Sequence, residues 1–252
     1  TLKTITGRMS HNSPNMAQIP AVRSPYGKEC RDCWTVADTS THSIVGTDAS
    51  GLELRCLAHY MNDTTFTDIL LTGDIHTHNM KMAGLTDRDQ AKTFIYAFMY
   101  GAGASKIGKI VGAGAKEGQR LIDNFLSSMT ALKRVRDGVT KASAKGKIKG
   151  IDGRLLHIRS AHSALNTLLQ GAGAVVCKIW LINIMTRVRT LGLDAKLVAS
   201  IHDEYQFEVL NTDVKKFGQI TKDAMKDTEK ELHMKCPLDS EWKVGKTWAE
   251  TH

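Results

Sequence analysis

The stretch LVASIHDEYQFEVL runs from Leu197 to Leu210 and sets the frame for the rest of the chain. Val198 and Ser200 alternate with Leu197, Ala199 and Ile201, and Tyr205, Phe207 and Val209 alternate with Gln206 and Glu208. A period of two predicts a strand on each side. Between them stand His202, Asp203 and Glu204, with no Gly, Pro or Asn to ease a tight turn. An isolated acidic pair at a reversal is ordinarily a solvated turn, so a catalytic reading needs support from elsewhere in the chain.

Working outward, the segment before the hairpin is a predicted buried helix from His162 to Leu191, marked by Leu165, Leu168, Leu169, Val175, Val176, Ile179, Met185 and Val188 and ended by Gly192. After the hairpin come an amphipathic helix, DVKKFGQITKDAMKDTEKELH, and a Trp-containing strand to the terminus. Upstream, SIVGTD predicts a short strand ending on Asp48, followed by a helix that contains Glu53 and Arg55. Residues 1–30 are rich in Gly, Pro, Asn and Ser and predict short strands with irregular connections. A long helical region covers about 74–136, and KASAKGKIKGIDGRLLHIRS predicts a basic hairpin turning at Asp152-Gly153. Strands at both ends with helices between predict an α+β sheet platform carrying a helical insertion.

The 252 residues are 42% hydrophobic and 24% charged, ample for a sizeable core in one or two domains. Lys and Arg number 34 against 26 Asp and Glu, a balance of +8 that suits an anionic partner, nucleic acid before membrane. No apolar run of bilayer length is expected, the longest being interrupted by Lys178, and TLKTITGRMSH has no signal core. The expectation is an intracellular, membrane-free protein. Five cysteines fit a reducing compartment. Cys30 and Cys33 form a C-x-x-C with no second pair, so free thiols are the better reading.

Three stretches carry chemistry. In TDRDQAKTFIYAFMYGAG, Arg88, Lys92, Tyr96 and Tyr100 recur every four residues along one helical stripe. Two cations and two aromatics so placed can hold phosphates at one end and a base at the other. The bland alternative is an exposed face with a buried aromatic end. His76, in GDIHTHN, is a third phosphate donor or a helix-end histidine. Gly103 to Lys109 satisfies the start of a P-loop, but Ile110 stands where Ser or Thr would hold Mg²⁺ and the segment follows a helix rather than a strand. A loop joining two helices is the better reading. Asp48 and the Asp203-Glu204 pair, if their strands share a sheet, can present acidic oxygens to a hard cation such as Mg²⁺. Two such ions, with the cationic stripe on a triphosphate, describe nucleotidyl transfer.

GTDASGLELR, RDQAKTFIYAFMYGAG and IHDEYQFEV resemble, in order, motifs A, B and C of family A DNA polymerases. TGRMSHNSPNMAQIP, GDIHT and RSAHSALNTLLQGAGA extend the likeness over essentially the whole chain, nearest to the replicative polymerases of T-odd bacteriophages. The resemblance implies an antiparallel palm sheet with flanking helices, expected over 1–62 and 161–252, interrupted by mainly helical fingers over 63–160. It implies a DNA-directed DNA polymerase acting in the cytoplasm of an infected bacterium, using two Mg²⁺ ions, primer–template DNA and deoxynucleoside triphosphates. Asp48 and Asp203 match the metal-binding aspartates, with the Ala49 carbonyl as a further ligand, and Glu204 matches a supporting glutamate. Glu53, His76, Arg88, Lys92 and Tyr96 match nucleotide-binding residues. Arg8, Tyr100, Asn166, Gln170 and His202 match contacts to template or primer.

In that family an exonuclease-like domain and a thumb precede the palm. The chain is therefore expected to be the C-terminal half of a split polymerase, joined by a second chain carrying those domains, with a processivity factor as a further partner. A non-catalytic primer–template binder is the alternative, but Asp48, Asp203 and Lys92 are all retained. A single-subunit RNA polymerase is the other rival, disfavoured by Glu53 together with the His202-Asp203-Glu204 turn.

Overall fold

The computed structural model describes residues 4–251. In chain order its elements are α1 (Gly27–Asp32), β1 (His42–Ala49), α2 (Leu52–Met61), α3 (Thr64–Thr72), α4 (Ile75–Ala83), α5 (Arg88–Met99), α6 (Ala104–Ile110), α7 (Ala115–Ser128), α8 (Thr130–Ser143), β2 (Lys147–Lys149), β3 (Leu155–His157), α9 (Ala164–Leu191), β4 (Ala195–Ile201), β5 (Glu204–Leu210), α10 (Val214–Glu231) and β6 (Ser240–Gly245). Two compact units result. One holds the residues up to Leu52 and from Gly173 onward; the other is Glu53–Ala172. The divisions fall within α2 and α9, whereas the expected domain limits lie at 62/63 and 160/161.

The first unit is built on an antiparallel sheet of order β4-β5-β1-β6. Residues opposite each other across an antiparallel pair point to the same face. One face therefore carries Val45, Tyr205, Phe207 and Trp242 against α9 and α10. Phe207 packs on Phe217 at 4.7 Å between ring centroids and Tyr205 on Trp180 at 5.3 Å. The polar tips of these rings are satisfied: Trp180 Nε1 donates to the Thr221 carbonyl and Tyr205 Oη to the Cys177 carbonyl, each at 2.8 Å. Each such buried ring contributes about 1.5–3 kcal/mol over leaving it in water. Gly218 lets α10 close on β6, since a Cβ there would lie 2.2 Å from the Trp242 ring.

The second unit is helical, with Phe125 packed edge-on to Phe94 and Phe98 at 5.1 and 5.5 Å. A further cluster of Val139, Ile148, Leu156, Ala164 and Leu168 seats the β2–β3 hairpin. Its period of two leaves Lys147 and Lys149 outside and Ile148 inside.

Several expectations are corrected. Residues 4–30 hold no strand; a short 3-10 turn (Met16–Gln18) and the start of α1 stand there. Pro14, Pro20 and Pro25 remove the amide donors a strand ladder needs. The glycine-rich segment is not a plain loop, because α6 forms inside it. Its glycines serve helix packing: a Cβ on Gly118 would lie 1.9 Å from the Ala104 carbonyl oxygen. The helical region begins at Thr64 as a series of separate helices, not at 74. β4 is an edge strand with a bulge between Leu197 and Ala199, so Leu197 and Val198 are both exposed. β5, covered on both faces, buries Glu204 through Phe207 in succession. After β6 the chain closes in a 3-10 turn, Trp248–Thr251, rather than a longer strand. The helix spanning 161–191 does reach the length and apolarity of a membrane crossing, and most of it is buried within the protein. Gly192 ends it in the left-handed region, φ +64°.

Candidate active site

The hairpin turn is tighter than its sequence announces. Ile201 pairs with Glu204, leaving only His202 and Asp203 in the loop. Two-residue hairpins need positive φ at a central position, and His202 supplies it at +56°. A non-glycine residue in that region costs about 1–2 kcal/mol, so the surrounding pairing must hold it. Glu204 is thus the first residue of β5, not part of the turn.

The β1–β5–β6 register gathers the acidic groups. Asp48 lies opposite Glu204 on one side and Glu241 on the other. The Ala49 amide donates to the Asp203 carbonyl at 3.1 Å, tying the turn to the end of β1. Asp48, Asp203, Glu204 and Glu241 line one groove of about 360 Å³ with Gly46, Lys243 and Thr251. The Asp48 carboxyl is pushed up to about 7, first by burial and then by the charges of Asp203, Glu204 and Glu241. Its carboxylate is reached by solvent yet walled by protein on several sides, which is why crowding acts on it.

Among the described residues no three His, Cys, Asp or Glu side chains converge as a ready-made metal site. The donor set nonetheless fits a hard divalent cation. Its donors are all oxygens, and their mutual repulsion is what an added positive charge relieves.

In the helical unit the predicted stripe lies on α5, with Tyr100 just beyond it as the cap residue. Arg88 is engaged: its Nε and Nη2 donate to the Asp74 carboxylate at 2.7 and 3.1 Å. Asp74 also caps α4, accepting from the His76 and Thr77 amides. These bonds, Arg88 first, hold its carboxyl well below the usual range. The His76 ring centroid is 6.5 Å from that of Tyr96. Its pKa is lowered by burial and then by the nearby charges of Arg88 and Lys92, so His76, Arg88, Lys92 and Tyr96 form one group. Lys92 is exposed. Tyr100 is 47% exposed, contrary to a buried aromatic end, and its Oη donates to Glu53 Oε2 at 2.8 Å.

Asn166 and Gln170 are partly exposed on α9 while Ala164, Leu165, Leu168 and Leu169 are buried. Arg8 is half-buried, and His202 is exposed at the turn. Sequence reasoning missed four residues: Glu241 beside Asp48, Asp74 on Arg88, and Trp248 and Gln206 on Glu204. Only Asp74, two residues before His76 in GDIHT, left a signal, as an N-cap residue type immediately ahead of the α4 helix. Cys30 and Cys33 are free thiols at the end of α1.

The model of DNA polymerase family A matches residues 1–250. A DNA-directed DNA polymerase of Enterobacteria phage T3 is 41% identical over 98% of this chain and 40% of its own length. That of Escherichia phage T7 is 40% identical, again over 98% of this chain and 40% of its own. The chain therefore spans about two-fifths of the length of these curated relatives. The POL domain of Pol1 from M. smegmatis, solved in complex with DNA primer-template and dNTP, superposes with a TM-score of 0.88 at 22% identity, covering 98% of this chain and 47% of that one. At that identity the likeness establishes the fold.

Proposed function

Because the chain belongs to DNA polymerase family A, we propose that it is the catalytic part of a DNA-directed DNA polymerase, adding deoxynucleotides to a primer 3′ end. The observation that carries this reading is the strand register that sets Asp48 beside the Asp203 turn and opposite Glu204. Asp48 and Asp203, with the Ala49 carbonyl, are the residues that would hold divalent cations. Two such ions, when bound, supply charge stabilisation to an in-line phosphoryl displacement. Arg88 and Lys92 would bind the triphosphate, with Arg88 exchanging Asp74 for phosphate oxygens or bridging both. His76 would add a ring nitrogen, and Tyr96 a face for the incoming base. Glu53, held by Tyr100, would line the sugar and exclude a 2′-hydroxyl. Arg8, Asn166, Gln170 and His202 would contact primer–template.

A second chain carrying a thumb and an exonuclease-like domain, a processivity factor, and action in the cytoplasm of an infected bacterium belong to the same proposal. Primer extension in Mg²⁺ with deoxynucleotides against ribonucleotides tests the core of it, using this chain alone and with the remaining portion of a phage relative. Extension favouring deoxynucleotides is expected. Template binding with no extension under either condition would favour the non-catalytic reading.

A further inference from the structure

Glu204 is only 8% exposed, yet the carboxylate is kept where an apolar side chain of similar volume would fill the space. Leaving a buried carboxylate without partners is costly, and this one has a donor from the C-terminal turn and another from its own strand, β5. Trp248 Nε1 donates to Glu204 Oε1 at 2.7 Å, and Gln206 Nε2 donates to the same oxygen. An indole N–H and an amide NH₂ cannot accept, so both contacts require Oε1 as an acceptor.

The donors are themselves held. The Thr251 hydroxyl lies 2.9 Å from both Gln206 Oε1 and the Trp248 carbonyl oxygen, and its one proton, when given to Gln206, turns the amide NH₂ toward Glu204. Gly46, opposite Gln206 in the register, leaves room for that amide: a Cβ there would lie 2.7 Å from Gln206 Nε2. The Arg31 guanidinium covers the Trp248 ring at 4.3 Å and is itself fixed by a 2.9 Å bond from Nε to the Pro20 carbonyl. Trp248 and Gln206 are each 2% exposed.

We propose that Trp248 and Gln206 are positioning residues: they fix the Glu204 carboxylate in the acidic groove, opposite Asp48 and one residue after Asp203. The inference rests on the polymerase reading above. It assigns the C-terminal 3-10 turn a part in the chemistry rather than only in closing the sheet. A purely structural turn that lost a single N–H would lose stability, with no separate loss in the rate of the chemical step.

The test uses Trp248→Phe, which keeps a ring under Arg31 and deletes the donor, and Gln206→Met, which keeps length and deletes the amide. Gly46→Ala displaces Gln206 from the other side. Single-turnover extension should slow by about tenfold in either deletion, the scale of one hydrogen bond to a charged group, with the KM for nucleotide nearly unchanged. Thermal melting should stay close to wild type for at least one of the two. In ¹⁵N-tryptophan-labelled protein bound to a dideoxy-terminated primer–template and nucleotide, the Trp248 indole resonance should move on adding Mg²⁺. It should stay in place in Asp203→Asn. Wild-type single-turnover rates in both Trp248→Phe and Gln206→Met, or an indole resonance indifferent to saturating Mg²⁺, would overturn the positioning role. Wild-type extension by Asp203→Asn would instead overturn the polymerase reading itself.

Discussion

In the sheet unit, Asp48 and Glu204 stand on strands paired residue by residue, and the carboxylate of Glu204 is enclosed by Trp248 and Gln206. In the helical unit, Arg88 and Lys92 stand on one exposed side of α5, and Arg88 is held by an ion pair with Asp74. The first arrangement is set by long-range register and buried donors. The second is set by local helical spacing and an exposed ion pair, a contact of small energetic weight. On the proposed function, the fixed charges of the sheet would serve the chemistry, and the more loosely held helix face would bind and release the nucleotide.

The sharpest way to break this contrast is Asp48→Asn or Asp203→Asn. Each removes a hard anionic donor while keeping its shape. Extension should fall by about a thousandfold or more, as expected for loss of several kcal/mol of charge stabilisation, while primer–template binding by fluorescence anisotropy persists. Near-normal extension by both variants would remove the sheet from the chemistry.

Phe125→Ala tests whether the helical unit stands on its own core. Deleting the ring shared by Phe94 and Phe98 should cost about 3–5 kcal/mol. Amide hydrogen exchange should quicken first within 53–172, with β1 and β5 protected. Equal acceleration in both units would show that they melt as one.

Lys92→Ala and Arg88→Ala should lower kcat/KM for nucleotide by about 10- to 100-fold, the weight of one charge-assisted contact, with DNA affinity little changed. Arg88→Ala should be the milder, because wild-type Arg88 must already give up or share its Asp74 contact to bind phosphate, which offsets part of its contribution. An unchanged kcat/KM in both would show that the stripe faces away from the nucleotide.

The smallest effect concerns His76. Its folded pKa lies below the ordinary 6.5 because burial, Arg88 and Lys92 disfavour the charged ring. Below about 6.5 the unfolded chain binds a proton that the folded chain resists, so stability should decline as pH falls through that window. His76→Gln should flatten the decline in melting temperature between pH 7.5 and 5.5. Parallel curves would show that His76 does not contribute to it.

Local signals determined much of this protein. The period of two around His202-Asp203, the four-residue recurrence of Arg88, Lys92, Tyr96 and Tyr100, the glycine ending α9 and the Lys-rich hairpin are all written within a few turns or strand lengths. Each predicts an element that the fold contains, because hydrogen-bond geometry acts over such distances, although the period of two does not survive as alternating burial in β4 or β5. Other features were decided only by tertiary structure. Glu241 faces Asp48 across a sequence gap that only the β1–β6 register closes. Trp248 and Gln206 meet on Glu204 because the C-terminal turn folds back over one sheet face. Asp74 claims Arg88 because two helices meet at their N-terminal ends. Nor did strand-like alternation reveal that β4 is an edge and β5 a covered interior strand. Alternation records the two faces of a strand, whereas its neighbours are chosen by distant segments competing for the same backbone donors and acceptors.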